Sequence, residues 1–230
     1  MLLLAIDTST PRVAVAIGES GRVRAEIGLA SRRRHAEQLA PAIAYLCEQT
    51  QVELDQLAAV AIGIGLGLFT GLRVGVTTAK IMAQALRVPV VPVPSLDLVA
   101  YPLRYSRRLV TVVLDARRHE VYSAQYRPVP GGVQRTSDYT VGSADDLVAE
   151  LAAGGEEVLL AGDGVDANRD AFATLDRLEH AGADFEAPSA SALVALASGR
   201  VEREEFVSPY DVRPLYLRAS DAELAWGQAR

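Results

Sequence analysis

The chain has 230 residues, half of them hydrophobic, with a net charge of −6 and one cysteine. That is enough for a substantial core in one large or two small domains. It excludes an intrachain disulfide, and no apolar run reaches the roughly 18 residues that would suggest a spanning helix. Residues 1–102 carry nine basic and eight acidic side chains, and residues 103–230 carry fourteen and twenty-one, so neither half has the basic surface of an autonomous nucleic-acid binder.

The opening is apolar, lacks a basic leader and meets Asp7 too early for a signal peptide, so residues 2–6 are expected to form a buried strand. Residues 13–17 and 22–29 read as second and third strands around the turn formers of 18–21. A helix follows, with Leu39, Ile43, Leu46 and Cys47 on one face. Pro41 falls inside it, which predicts a kink or a start near that residue. Residues 58–64 form the next strand and 72–86 the next helix. A short strand at 88–93 precedes a helix through Tyr101 that Ser95 can cap. The second half repeats this order. A strand at 109–114 ends in Asp115 as the first ends in Asp7, and strands at 120–126 and 133–136 follow. Ser143 opens a helix to residue 152, residues 158–161 form a strand, and Pro188-Ser189 starts a last helix. The expectation is an α/β chain of two tandem units with mixed sheets, 1–102 and 103–230. The tail after Tyr216 is a candidate to pack back on the first unit.

Asp7-Thr8-Ser9-Thr10 sits where the first strand turns into the second. Its amides and hydroxyls could hold a phosphate, or simply close the hairpin as an Asx or Ser/Thr turn. With Asp115 repeating Asp7, the order of elements is similar to the actin-like (ribonuclease H-like) ATPase architecture. Gly65-Leu66-Gly67-Leu68-Phe69-Thr70-Gly71-Leu72-Arg73 follows a strand and opens a helix that Thr70 can cap. No Walker lysine closes this loop, so phosphate binding and tight helix packing both remain open. Gly71, Gly75, Ala79 and Ala83 recur every four residues and make one stripe of small side chains. Such a stripe suits close approach of a partner helix or of the chain's own sheet. No His-x-x-x-His pair occurs, and Asp115 to Glu120 reads as an active-site turn or a solvated hairpin.

Five segments resemble the bacterial YeaZ/TsaB family: Leu4 to Ser9, His35 to Pro41, the glycine loop, Asp115 to Tyr122, and Pro214-Leu215-Tyr216-Leu217-Arg218. Leu66 and Leu68 depart from that family's Pro and Ser. The resemblance implies two actin-like lobes and a non-catalytic subunit for N6-threonylcarbamoyladenosine formation at position 37 of tRNAs reading A-starting codons. It implies direct pairing with the catalytic paralogue TsaD, action with the ATPase TsaE, homodimers when alone, tRNA contact only through the complex, no membrane, and a cytoplasmic location. It also implies that the first-lobe helices pair with TsaD, which points to His35, Leu39, Ile43, Leu46, Gly71, Arg73, Gly75, Ala79 and Ala83. No cofactor is expected, with weak nucleotide binding at Asp7, Thr8 and Ser9 left open. The alternative is an independent ATP-dependent enzyme of the actin-like or sugar-kinase class; proteolysis ranks last, for want of a nucleophile or zinc site.

Overall fold

The computed structural model describes residues 1–31 and 34–217. Arg32, Arg33 and, in the C-terminal segment, Arg218 lie outside the described residues. The chain builds two sheets of related order. In the first half, β1 (Leu2–Asp7), β2 (Arg12–Glu19) and β3 (Arg22–Ala30) form an antiparallel meander. Helix α1 (His35–Thr50), strand β4 (Ala59–Gly63), helix α2 (Phe69–Leu86) and strand β5 (Val90–Val93) then add parallel strands beside β1. The sheet order is β3-β2-β1-β4-β5.

Helix α3 (Ser95–Ala100) leads to the second half. Strands β6 (Leu109–Arg117), β7 (Glu120–Val129) and β8 (Gly132–Arg135) repeat the meander, β9 (Thr140–Ser143) adds to β7, and α4 (Ala144–Gly154) follows. Next come β10 (Val158–Ala161), the short helices α5 (Asp163–Ala167) and α6 (Arg169–Phe172), and β11 (Leu178–His180). The main path runs β11-β10-β6-β7-β8, the first sheet's order with β10 and β11 in the places of β4 and β5. Helix α7 (Ala190–Glu202) closes the chain of elements.

Local chemistry explains most boundaries. Ser143 caps α4 by accepting from the Asp146 amide, and its hydroxyl donates to the Asp146 carboxylate. Ser189 caps α7 in the same manner through Ala192. Three expectations need correcting. A helix start near Pro41 is overturned, since α1 begins at His35, six residues earlier, and runs through an exposed Pro41. Thr70 lies inside α2, whose N-cap is Leu68 with no side-chain cap. Ser95 is the first residue of α3 behind Pro94, and its hydroxyl bonds elsewhere.

The two halves exchange cover. On one face of the first sheet, Leu4, Ile6, Val13, Val15, Val60 and Ile62 pack under α1 and α2. Its other face is rich in alanine (Ala5, Ala14, Ala16, Ala59, Ala61) and receives α7 from the second half through Ala190, Leu193, Val194 and Ala197. Alanine on both sides permits the close approach: a Cβ on Gly18 would already run into Val194. Conversely, α3 from the first half packs Leu96, Val99 and Ala100 onto Val110, Val112, Leu114 and Tyr126 of the second sheet. The second sheet's other face packs on α4 and on Val165 and Phe172 of the short helices. Residues 207–215 return to the first sheet. Val207 bridges Val90, Lys80 Nζ donates to the Val212 carbonyl at 3.3 Å, and Leu215 N donates to Ile64 O at 2.8 Å.

At the junction, Asp97 on α3 accepts from both the Tyr126 hydroxyl (2.8 Å) and the Tyr139 hydroxyl (2.7 Å). Burial, then the Asp97 charge, pushes both phenols above their ordinary value of 10.0. The folded chain therefore holds these protons where an unfolded chain gives them up. The associated stability is fully present below about pH 10 and is lost as pH rises beyond it. Alkaline unfolding followed by circular dichroism should show a steep loss above that pH, and Tyr139→Phe, less stable at neutrality by about 1–3 kcal/mol, should make the loss shallower.

Candidate functional site

Parallel pairing of β1 with β4 brings the carboxylate of Asp7 over Gly63, where any Cβ would collide with it. Asp7 Oδ1 accepts from Ser9 N (2.9 Å) and Ser9 Oγ (2.8 Å), an Asx turn, and Oδ2 accepts from Ser95 Oγ (2.8 Å). Ser95 Oγ accepts in turn from Gly65 N at 3.2 Å, and Ser95 N donates back to the Gly65 carbonyl. Thr8 Oγ1 donates to Gly71 O at 2.8 Å, Leu68 N donates to Ser9 O at 2.6 Å, and His35 Nε2 lies 2.8 Å from Thr10 O. One carboxylate thus ties the β1–β2 turn, the glycine loop and α3 together.

This turn is sealed. Asp7 is 2% exposed, and Thr8 and Ser9 are 0%. Burial raises the Asp7 pKa against the opposing pull of the two Ser9 bonds, Ser95 and His35. The Ser9 amide and hydroxyl are spent on Asp7, and the Thr8 hydroxyl on the Gly71 carbonyl. Gly65 has φ +111°, a conformation that suits glycine, and a Cβ on Gly67 would strike the Ser9 carbonyl. Leu66 enters the second sheet's core beside Leu96 and Val112, 1% exposed, so the loop also plugs the junction between the sheets.

The structure turns the stripe of small residues inward. A Cβ on Gly71 would meet the Thr8 carbonyl, and one on Gly75 the Thr8 hydroxyl, while Ala79 and Ala83 are fully buried against the first sheet. His35, Leu39, Ile43 and Leu46 are buried within the chain as well. Of the nine residues expected at a partner interface, Arg73 alone is exposed. The correction has a simple cause: α2 must come close to the β1 turn to close the loop over it, and only small residues permit that. The faces left outward carry other residues. Tyr45 on α1 is 54% exposed and Ile81 on α2 61%, with Ala40, Pro41 and Ala44 on α1 and Phe69, Arg73 and Thr77 on α2 also exposed. Arg73 lies over the Phe69 ring at 5.0 Å, and Phe69 packs on Tyr216 at 5.4 Å, so the C-terminal segment meets the glycine loop. Sequence periodicity could have found this outer face as the opposite side of each helix.

The second half holds the corresponding turn in a different state. Asp115 lies within β6, two residues before its end, and accepts from Arg117 N at 2.8 Å. Its own amide donates to Asp163 Oδ1 at 3.0 Å, and Gly162 and Gly164 press on Val113 and Leu114. Arg117, Arg118 and His119 all have positive φ, and His119 borders a polar cavity of about 620 Å³ with Asp145, Asp166 and Arg169. Burial, and then the nearby charges of Asp115 and Glu186, pushes the Asp163 pKa from 3.8 to about 6 against the Asp115 amide and Arg117.

Comparison with known proteins gives these features a setting. The family model described as TsaD: tRNA N6-adenosine threonylcarbamoyltransferase matches residues 27–226. The tRNA threonylcarbamoyladenosine biosynthesis protein TsaB of Bacillus subtilis is 29% identical over 231 residues, 98% of each chain. A Mycobacterium leprae protein is 39% identical over 150 residues, 64% of this chain, which spans only 40% of that relative. The structure of YeaZ from Pseudomonas aeruginosa superposes with a TM-score of 0.81 at 29% identity, covering 94% of this chain and 99% of that one. The activator of 2-hydroxyisocaproyl-CoA dehydratase from Clostridium difficile shares the fold alone, with a TM-score of 0.52 at 10% identity over 94% of this chain and 100% of that one. Two tandem actin-like lobes describe the architecture.

Two predictions follow from the packing and charge. Gly71→Ala should cost about 1–3 kcal/mol in urea unfolding, because the rigid Thr8 carbonyl blocks the new methyl; wild-type stability would mean that the stripe does not face the turn. The raised Asp163 pKa means that its favourable contribution is present below pH 3.8 and lost as pH rises through about 6. Asp163→Asn should therefore be more stable than the parent at pH 7.5, by up to about 3 kcal/mol at roughly 1.4 per unit, with the gain vanishing below pH 4 in thermal melts.

Proposed function

The chain belongs to the TsaB/YeaZ family, and from that membership we propose that it is the partner-binding subunit for N6-threonylcarbamoyladenosine formation at position 37 of tRNAs reading A-starting codons. It is the scaffold and activator of the catalytic paralogue TsaD, acts together with the ATPase TsaE, and is itself non-catalytic. Lobes 1–102 and 103–230 are the proposed division of labour, the first carrying the partner helices. Among the described residues no helix is long and apolar enough to cross a membrane, and the proposed location is the cytoplasm.

The observation that carries this reading is the outward surface of α1 and α2. Two adjacent helices expose Tyr45, Ile81, Phe69 and a run of Ala, Pro and Thr between few charges. Aromatic and aliphatic anchors flanked by small residues suit a helix-on-helix interface, and the same surface serves a homodimer when TsaD is absent. The sealed Asp7 turn supports the non-catalytic role, since its carboxylate is committed to Ser9 and Ser95 and the Thr8 hydroxyl to the Gly71 carbonyl. It also weighs against an independent ATP-dependent enzyme, a reading that calorimetry with Mg-ATP on the isolated chain tests.

The partner surface is tested by Ile81→Arg and Tyr45→Glu. Both sites are exposed, so each substitution should leave the melting temperature near wild type, and the pair should weaken TsaD capture at least about thirtyfold. Modification of tRNA in a reconstituted assay should fall with it. Undiminished capture by the double variant would reject this surface as the interface.

A further inference from the structure

We propose that the segment joining the two lobes is a contact site for single-stranded RNA, with Tyr105 as a stacking platform and Arg107 as a phosphate contact. Between Asp97 and Asp115 the sequence has no acidic residue, yet it carries Arg104, Arg107 and Arg108 in a chain whose net charge is −6. The arginines have distinct situations. Arg108 is neutralised by Glu157 and Glu179. Arg104 lies over two rings, Tyr101 at 4.4 Å and Tyr105 at 4.5 Å, and donates to the Tyr101 carbonyl at 3.1 Å. Arg107 is exposed and makes no ion pair among the described residues.

Tyr105 is the most exposed of the large hydrophobic side chains among the described residues, at 82%. A ring that far into solvent costs apolar hydration, and the guanidinium beneath it holds it in one place instead of letting it fold back on the surface. An aromatic ring held open beside cations is what an unpaired base stacks on, whatever its sequence. Strand β8 packs beside residues 101–103, and Arg135 at its end lies 4.1 Å over the Tyr139 ring while pairing with Asp138. An acidic peptide would be held by the arginines alone and would leave the open ring unused. The choice of RNA over other polyanions rests on the tRNA-modification reading above. The chain's overall acidity keeps the contact weak and sensitive to salt, so it positions an RNA that another subunit also holds.

The test is fluorescence anisotropy of the isolated chain with a labelled single-stranded RNA of about 16 nucleotides and with its duplex, between about 50 and 200 mM salt. Single strands should bind better than the duplex. Tyr105→Ala should weaken single-strand binding about tenfold, Tyr105→Phe should restore it, and Arg107→Ala should lower the salt slope by about 0.7. Tyr105→Ala should still capture TsaD as wild type does. Unchanged RNA affinity in Tyr105→Ala, equal binding of duplex and single strand, or a poly-glutamate peptide displacing the RNA as well as unlabelled RNA does would each overturn the proposal. Loss of TsaD capture by the wild-type chain would instead overturn the partner reading and leave the RNA result standing.

Discussion

The buried carboxylate of Asp7 is the point on which the first lobe is organised. A carboxylate cannot be enclosed without partners, because an unpaired buried charge costs several kcal/mol. Here Ser9 supplies two donors and Ser95 a third, and the three come from two segments 86 residues apart. Satisfying this one group therefore fixes where the β1–β2 turn ends and where α3 begins. Through the Ser95–Gly65 pair of hydrogen bonds it also fixes the course of the glycine loop. The absence of a side chain at Gly63, Gly67, Gly71 and Gly75 follows from the same enclosure, since each would place a Cβ on an atom of residues 7–9.

The loop transmits that arrangement to the second lobe. Leu66 leaves the loop and enters the second sheet's core, and Leu96, one residue after Ser95, does the same from α3. Helix α3 is thus held on one side by a hydrogen-bonded carboxylate and on the other by apolar burial. The reciprocal passage of α7 back to the first sheet makes the two lobes share their cores. With Tyr126 and Tyr139 both bonded to Asp97, a hinge motion at this junction would have to break paired polar groups and expose apolar surface together.

Much of this was legible in the sequence, and the rest was hidden for definite reasons. The repeat of three strands, helix, strand and helix could be read because alternation and turn formers are local signals, and Asp115 marked the second copy as Asp7 marked the first. Ser143 as a cap was readable from three adjacent residues. Ser95 was not: its position suggests a cap, and only the fold reveals that a carboxylate 88 residues away claims its hydroxyl. The stripe from Gly71 to Ala83 was visible as a periodicity, but periodicity establishes that a face exists, not what it meets. It faces Thr8 and the sheet, and the outward side of the helix lies opposite, at Ile81. Short elements such as β9, β11, α5 and α6 carry too few residues for any period to register.

The duplicated turns show what enclosure changes. Asp7 ends β1 beside Gly63 at the end of β4, and Asp115, two residues before the end of β6, lies against Gly164 beyond the end of β10. Around Asp7, a long loop and two serines close the site. Around Asp115, the neighbouring strand leads into Asp163 instead, an acid that cannot donate to a second carboxylate unless it is protonated, and the pair repel each other. The second turn therefore stays partly open to solvent while the first becomes part of the core. Once the first turn is core, α2 is locked against it and its inner face can no longer vary. The outward residues of α1 and α2 are free of that constraint, and there the exposed apolar side chains Tyr45 and Ile81 stand.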